Sequence, residues 1–216
     1  MTTCALVAAS DFNADHFKAL NDAGGFDYVV AVDAGFAYLE KLGVKPDLAI
    51  GDFDSLGYVP KARRVSKHPQ HKDQSDLELA LERVSTRRYS RIHVYGALGG
   101  RLDHTLANLQ LFASYAEQGF DITAIDMGCA LRVLVGPDAF DLPPFKSGTV
   151  SVFSATDVSH GVSERGLEYP LDDADLTNRT SLGLSNELIG QEAAVSVAEG
   201  TLYVFYPLAD SAAVSE

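Results

Sequence analysis

The chain has 216 residues, 46% hydrophobic and 22% charged, enough for one large or two small domains with a proper core. Its formal net charge of −13 opposes nonspecific contact with nucleic acid or an anionic membrane. No apolar run approaches the roughly 20 residues of a membrane span. The start, MTTCALVAASDF, lacks a signal peptide's basic segment. Cys4 and Cys129 show neither disulfide-framework nor zinc-site spacing. A cytoplasmic protein with reduced thiols is the expectation.

CALVAA (4–9) reads as a strand and Asn13 to Leu20 as a short helix. YVVAVD (28–33) and DLAIGD (47–52) are expected strands, with helical FAYLEKLG between them. DLELALERVSTR (76–87) spaces Leu77, Leu79, Ala80, Leu81 and Val84 as an amphipathic helix does. RIHVYG (91–96) is a strand. A helix follows from Leu102 to about Gly119, with Leu102, Leu106, Leu109 and Ala113 on one face, and then strand DITAID (121–126). This alternation predicts a Rossmann-like α/β domain over residues 1–128, a mostly parallel sheet with helices on both faces.

Near residue 130 the pattern changes. LRVLVG, GTVSVFSA, VSERGLEYPL, AAVSVAEG and TLYVFYPL are short β-like runs separated by turn residues. They predict an antiparallel all-β sandwich or small barrel over residues 129–216. GPDAFDLPPFKSG (136–148) reads as a turn-rich connection within it.

AIGDFDSLG (49–57) ends an apolar run in two carboxylates, Asp52 and Asp54. Residues two apart in extended chain point to one side, so the pair suits a hard ion such as Mg²⁺ that shares phosphate oxygens. The place fits as well, because ligands of parallel sheets bind beyond the strands' carboxyl ends. An Asp-rich turn is the plainer account. An EF-hand loop fails, since its fifth and twelfth places would be Leu56 and Arg63. An aspartyl phosphatase, with Asp52 as nucleophile and Asp54 as acid, stays open.

In KDQSDLELAL (72–81), Asp73 with Asp76 resembles a helix cap with an acidic third residue. The functional alternative makes Asp76 a third oxygen ligand and Gln74 a neutral contact. GALGGRLDHTLAN (96–108) joins a strand to a helix through Gly96, Gly99 and Gly100. Such glycines admit a ligand close to the backbone, and the helix start offers N–H groups to an anion. Arg101 can fork onto phosphate, with Asp103 and His104 in the helix's first turn. The spacing is neither a P-loop nor G-x-G-x-x-G. Asp33 ends another strand and is either a helix cap or one more carboxylate at the same sheet edge. HPQH (68–71) has metal-like spacing but sits beside a proline with no further ligand near.

Together these stretches resemble the thiamin pyrophosphokinase (thiamin diphosphokinase) family. VDAG (32–35), KPDLAIGDFDS (45–55), KDQSDLELAL (72–81), GALGGRLDHTLANL (96–109), RGLEYPL (165–171) and SLGLSNEL (181–188) occur in the family's order. The resemblance implies that ATP and thiamin give AMP and thiamin diphosphate. It also implies a C-terminal sandwich forming part of the thiamin site and a homodimer with active sites between subunits. Asp52, Asp54 and Asp76 match its Mg²⁺ carboxylates. Gln74, Gly99, Gly100, Arg101, Asp103 and His104 fall in the nucleotide and phosphate region, and Asp33 near the substrate cleft. Tyr169 matches an aromatic that packs on thiamin, where a flat ring suits a cationic thiazolium, and Ser185 and Asn186 match a Ser-Asn pair near the thiamin ring. Arg101 would stabilise the migrating pyrophosphate, and Asp76 or Asp33 would take the alcohol proton. The chain departs from the family at Ala34, where glycine is common, at Arg165, where a small hydroxyl residue is usual, and at Glu168, where lysine is common. A non-catalytic nucleotide- or thiamin-binding module is the alternative outside enzymology.

Overall fold

In the computed structural model, which describes residues 2–87 and 89–208, strand β1 (Thr3–Val7) is buried along its whole length. Its unbroken apolar run is what a strand covered on both faces requires. Around it lie β2 (Tyr28–Val32), β3 (Leu48–Gly51), β4 (Val65–Lys67), β5 (Arg91–Tyr95) and β6 (Asp121–Ile125), interleaved with helices α1 (Ala14–Asp22), α2 (Phe36–Lys41), α3 (Asp76–Ser85) and α4 (Leu102–Glu117). The spatial order is β6-β5-β1-β2-β3-β4, and every neighbouring pair is parallel. Leu6 pairs with Val30 on one side and Val94 on the other. The chain steps outward from β1 to β4 and then returns to β5 on the far side of β1. The order therefore reverses between β1 and β5, where open α/β sheets form their ligand crevices.

The chain divides into two units. The first comprises Met1–Leu111 with Gly119–Met127, and the second Phe112–Gln118 with Gly128–Glu216. In the first, Leu6, Phe17, Leu39, Leu81, Ile92 and Tyr95 are fully buried. Asn13 caps α1, its side chain accepting from the His16 N–H at 3.1 Å. The cap of α3 differs from the sequence expectation. Ser75, not Asp73, takes it, accepting from the Glu78 N–H at 3.1 Å. A side chain two residues nearer satisfies the orphan donor, so Asp76 becomes the first helical residue. The expected apolar face of α4 is buried only toward its end, at Phe112, Ala113 and Ala116. Leu102 and Leu106 remain 83% and 59% exposed. Edge strand β4 has no counterpart among the expected strands. Its three residues, partly exposed, carry no periodic signal.

The second unit holds two antiparallel sheets. One has β7 (Cys129–Val135), β9 (Thr149–Ser154), β12 (Asn186–Glu187) and β14 (Thr201–Pro207) in the order β12-β9-β14-β7. The other has β8 (Asp138–Asp141), β10 (Val158–Arg165), β11 (Ala174–Thr177) and β13 (Ala194–Val197) in the order β11-β10-β13-β8. Leu134, Val152, Val162, Leu176, Val195 and Leu202 form its core. The turn-rich 136–148 segment contains β8, and the run at 162–171 is strand only as far as Arg165. Gly166 ends it with φ +71, where an added Cβ would lie 2.0 Å from the Glu192 carbonyl oxygen. Neither cysteine is in a disulfide, and burial pushes the Cys4 thiol pKa up. No helix among the described residues is long and apolar enough to cross a membrane.

Candidate active site

The site is assembled from strand ends. β2 and β3 run side by side with Val32 opposite Ile50, which sets Asp33 beside Gly51 just past the pairing. Asp33 has φ +46 and accepts from the Phe53 N–H at 3.1 Å. The turn after β3 thus folds over the Asp33 carboxylate. Asp52 accepts from the Asp54 N–H at 3.1 Å, a local turn that fixes its direction. Asp76 arrives from the start of α3.

Oxygens of Asp33, Asp52 and Asp76 lie within 4.8 Å of one another. Burial, and then the charges of Asp76 and Asp52, push the Asp33 pKa up, against hydrogen bonds from the Ala34 and Phe53 backbone. Asp76 Oδ1 is buried and accepts no hydrogen bond, although Lys72 Nζ stands 3.0 Å away out of alignment. Three converging hard oxygens, one of them without a hydrogen bond, suit a small divalent cation.

Asp54 is not one of the three, although its side chain meets that of Asp52. It accepts from Ser55 Oγ at 3.1 Å and Gln70 Nε2 at 2.6 Å, and hydrogen bonding with Ser55 first, then with Asp52, and least with Gln70 holds its pKa below the usual carboxylate range. Gln74 is elsewhere, its amide donating to Glu82 along α3 at 3.2 Å.

The turn from β5 to α4 supplies the opposite wall. Gly96, at φ +63, lies so near β1's exit that a Cβ would sit 2.4 Å from the Ala8 carbonyl oxygen. Asn108 holds the turn by donating to the Ala97 carbonyl at 2.7 Å. Arg101 Nε and Nη2 donate to Asp103 Oδ1 and Oδ2 at 3.1 and 2.6 Å. This exposed fork lowers the Asp103 pKa to about 2.

A cavity of about 380 Å³ joins these parts, with Asp33 and Asp76 on its lining together with Gly99, Gly100, Arg101 and His104. It lies at the carboxyl ends of β1, β2 and β5, on the reversal of strand order. Ser10, which the sequence reading passed over, also lines it. Its hydroxyl is buried without a hydrogen-bond partner among the described residues. Lys72 was missed too. A loop serine and one lysine in a polar run carry no sequence signal of their own.

In the second unit, Tyr169 is 66% exposed. Its backbone is clamped by Asn186, whose Oδ1 accepts from the Tyr169 N–H at 3.0 Å and whose Nδ2 donates to the Tyr169 carbonyl at 2.9 Å. Asn186 Nδ2 also donates to Glu164 Oε2 at 2.6 Å. The buried amide is therefore committed to the protein. Ser185, at φ +59, donates its N–H to Ser151 Oγ at 3.0 Å. A larger hollow of about 850 Å³ opens beside Phe145, Lys146, Arg165 and Glu192. Among the described residues it brings no trio of metal-ligating side chains together, so the smaller cavity is the better candidate for chemistry. Ala34 needs no glycine, since its φ is not positive. Gly35 does, because a Cβ there would lie 2.0 Å from the Val7 carbonyl oxygen.

Two family models match the chain. "Thiamin pyrophosphokinase, catalytic domain" covers residues 23–124, and "Thiamin pyrophosphokinase, vitamin B1 binding domain" covers residues 141–202. A thiamine pyrophosphokinase of Bacillus subtilis is 31% identical over 181 residues, 80% of this chain and 84% of the relative. The crystal structure of a thiamine pyrophosphokinase from Bacillus subtilis superposes with a TM-score of 0.80 at 27% identity, covering 95% of this chain and 99% of that one. One from Geobacillus thermodenitrificans gives 0.79 at 27% identity, covering 97% and 99%. Sequence and fold agree across both units, and the chain belongs to the thiamin pyrophosphokinase family.

Proposed function

We propose that this chain transfers the pyrophosphoryl group of ATP to the hydroxyl of thiamin, giving thiamin diphosphate and AMP, with Mg²⁺ as cofactor. The observation that carries the reading is the Asp33–Asp52–Asp76 trio, two of whose members line a cavity at the reversal of strand order. In this reading residues 1–128 hold nucleotide and metal, and residues 129–216 bind thiamin.

The thiamin hydroxyl oxygen attacks the β-phosphorus as its proton passes to a carboxylate, Asp33 or Asp76. The bond from that phosphorus to the α,β-bridging oxygen breaks, and AMP leaves with the bridging oxygen. Such a transfer asks the protein for position and charge more than for covalent chemistry. Asp33, Asp52 and Asp76 would hold Mg²⁺, with Asp54 joining once it exchanges its bonds from Ser55 and Gln70. When bound, Mg²⁺ offsets the charge of the phosphates it shares with these carboxylates. That reconciles an anionic substrate with a chain of net charge −13.

Arg101 turns from Asp103 to the migrating pyrophosphate, while Gly99, Gly100 and the first N–H groups of α4 face the phosphates. Ser10 donates its unpartnered hydroxyl to the same anion. Asp103 and His104 flank it, and Gln74 serves as an outer nucleotide contact. In the sandwich Tyr169 offers its ring to the thiazolium. Ser185 contacts thiamin beside it, and Asn186 fixes Tyr169.

A homodimer in the cytoplasm, with active sites between subunits, completes the reading, and exposed Leu102 and Leu106 on α4 are apolar surface for a partner to cover. Family membership does not favour the aspartyl phosphatase or the non-catalytic module. Phosphorus NMR of the protein with ATP, Mg²⁺ and thiamin tests the reaction. AMP and thiamin diphosphate in equal amounts are expected. ADP with thiamin monophosphate, or phosphate release without thiamin, would overturn it.

A further inference from the structure

The proposed chemistry leaves Lys72 without a role, yet its placement is specific. Its side chain is only 16% exposed. Its ammonium stands 3.0 Å from Asp76 Oδ1 and 3.7 Å from Asp52 Oδ2, and donates to the Pro69 carbonyl at 3.2 Å. The two carboxylates it faces are two of the three that converge. Carboxylates so close repel one another unless a cation sits among them.

The lysine and a divalent cation want the same oxygens. Mg²⁺ needs them at about 2.0–2.1 Å in near-octahedral array. An ammonium beside Asp76 and Asp52 would be a like-charged neighbour of that ion inside a partly desolvated pocket, where repulsion is poorly screened. Lysine is suited to yield, being a compact charge on a flexible four-carbon stem.

We propose that Lys72 is the resident counter-ion of the carboxylate cluster and that a divalent cation enters by exchange with it. The inference rests on Asp33, Asp52 and Asp76 being the metal ligands. Lys72 keeps the cluster assembled before the cation arrives. It also weakens the apparent affinity for a bare cation, because the cation-competent state is only the fraction with Lys72 withdrawn. A cation that brings polyphosphate with it gives the displaced ammonium a new anionic partner, so metal and nucleotide load together.

The test is Mn²⁺ titration of the nucleotide-free, full-length protein, followed by the electron paramagnetic resonance signal of free Mn²⁺. Wild type, Lys72→Met, Lys72→Arg and Asp76→Asn are compared. Lys72→Met keeps the apolar stem and removes the charge. It is expected to bind Mn²⁺ about tenfold more tightly than wild type, an ordinary coupling between two sites. Lys72→Arg keeps the charge and is expected to bind as wild type does, and Asp76→Asn more weakly.

Thermal unfolding gives an independent readout. Metal-free Lys72→Met is expected to melt below wild type and to gain more in Tm from Mn²⁺. Unchanged or weaker Mn²⁺ binding by Lys72→Met, with Asp76→Asn still weakened, sinks the exchange and leaves the metal site standing. Tightening in Lys72→Arg equal to that in Lys72→Met also sinks it, because charge would not be the cause. If neither wild type nor Lys72→Met binds Mn²⁺, the metal reading of the cluster falls and the exchange with it.

Discussion

Gly51 and Asp33 are in backbone contact across the β2–β3 edge: a Cβ on Gly51 would lie 3.0 Å from the Asp33 Cα and 3.1 Å from its Cβ. Gly51 also has φ +149, a region that side chains rarely enter. The glycine of the GDFDS stretch therefore serves the carboxylate just past the end of the neighbouring strand. Gly51→Ala is expected to push Asp33 out of register with Asp52 and Asp76. A loss of about 1–3 kcal/mol in urea unfolding with a disproportionate fall in kcat would show it. Unchanged kcat with lowered stability would mean that Asp33 tolerates the shift.

In the proposed reading, Asp76 and Asp54 would serve two stages of ion binding. Asp76 belongs to the converged trio, whereas Asp54 is tied to Ser55 and Gln70. Asp76→Asn is expected to weaken nucleotide-free Mn²⁺ binding and to cut turnover by about 100-fold or more. Asp54→Asn is expected to leave nucleotide-free Mn²⁺ binding intact and still lose turnover, because in the proposed reading Asp54 joins only in the loaded site. Turnover of Asp54→Asn near the wild-type rate would remove Asp54 from the ligand set.

Glu164 makes stability depend on pH. It is 1% exposed, and burial raises its pKa from 4.5 even though a hydrogen bond from Asn186 opposes the shift. Between the unfolded value and the raised folded value, the native state holds more protons than the unfolded state. Stability from this group is therefore present below about pH 4.5 and is lost as pH rises through the folded pKa. Glu164→Gln keeps an oxygen for Asn186 and cannot ionise. It is expected to be more stable than wild type at pH 8, with the gap closing toward pH 4. Urea midpoints at the two pH values measure this. A gap independent of pH would mean that the carboxyl does not titrate there.

Asn186 should act on thiamin through Tyr169. Its amide clamps the Tyr169 N–H and carbonyl, and no protein group replaces it in Asn186→Ala. A stability loss of about 1–3 kcal/mol is expected from the stranded partners. The KM for thiamin should rise severalfold while the KM for ATP stays put. Equal rises in both would point to general loosening of the fold, and no rise would take Tyr169 out of the thiamin site.

Much of this protein was legible in its order of residues. Short apolar runs, helical spacing in DLELALERVS, and glycines between β5 and α4 are local, so they marked the strands, the helix and the strand-to-helix turn. The change near residue 130 marked where parallel α/β gives way to antiparallel sheet. Carboxylates at strand ends were visible as Asp33, Asp52 and Asp54, because a strand's end is also a local property. Which of them meet is not local. Asp33 joins Asp52 because β2 and β3 are neighbours in the sheet, and Asp76 joins them because α3 begins over the same edge. Asp54 lies one residue past Phe53, whose φ of +61 breaks the extended path, and Asp54 is not among the three that converge. Lys72, Ser10 and the clamp of Asn186 on Tyr169 were also settled only in three dimensions. Each depends on residues brought within hydrogen-bond or ion-pair distance by packing, and spacing along the chain carries no record of that.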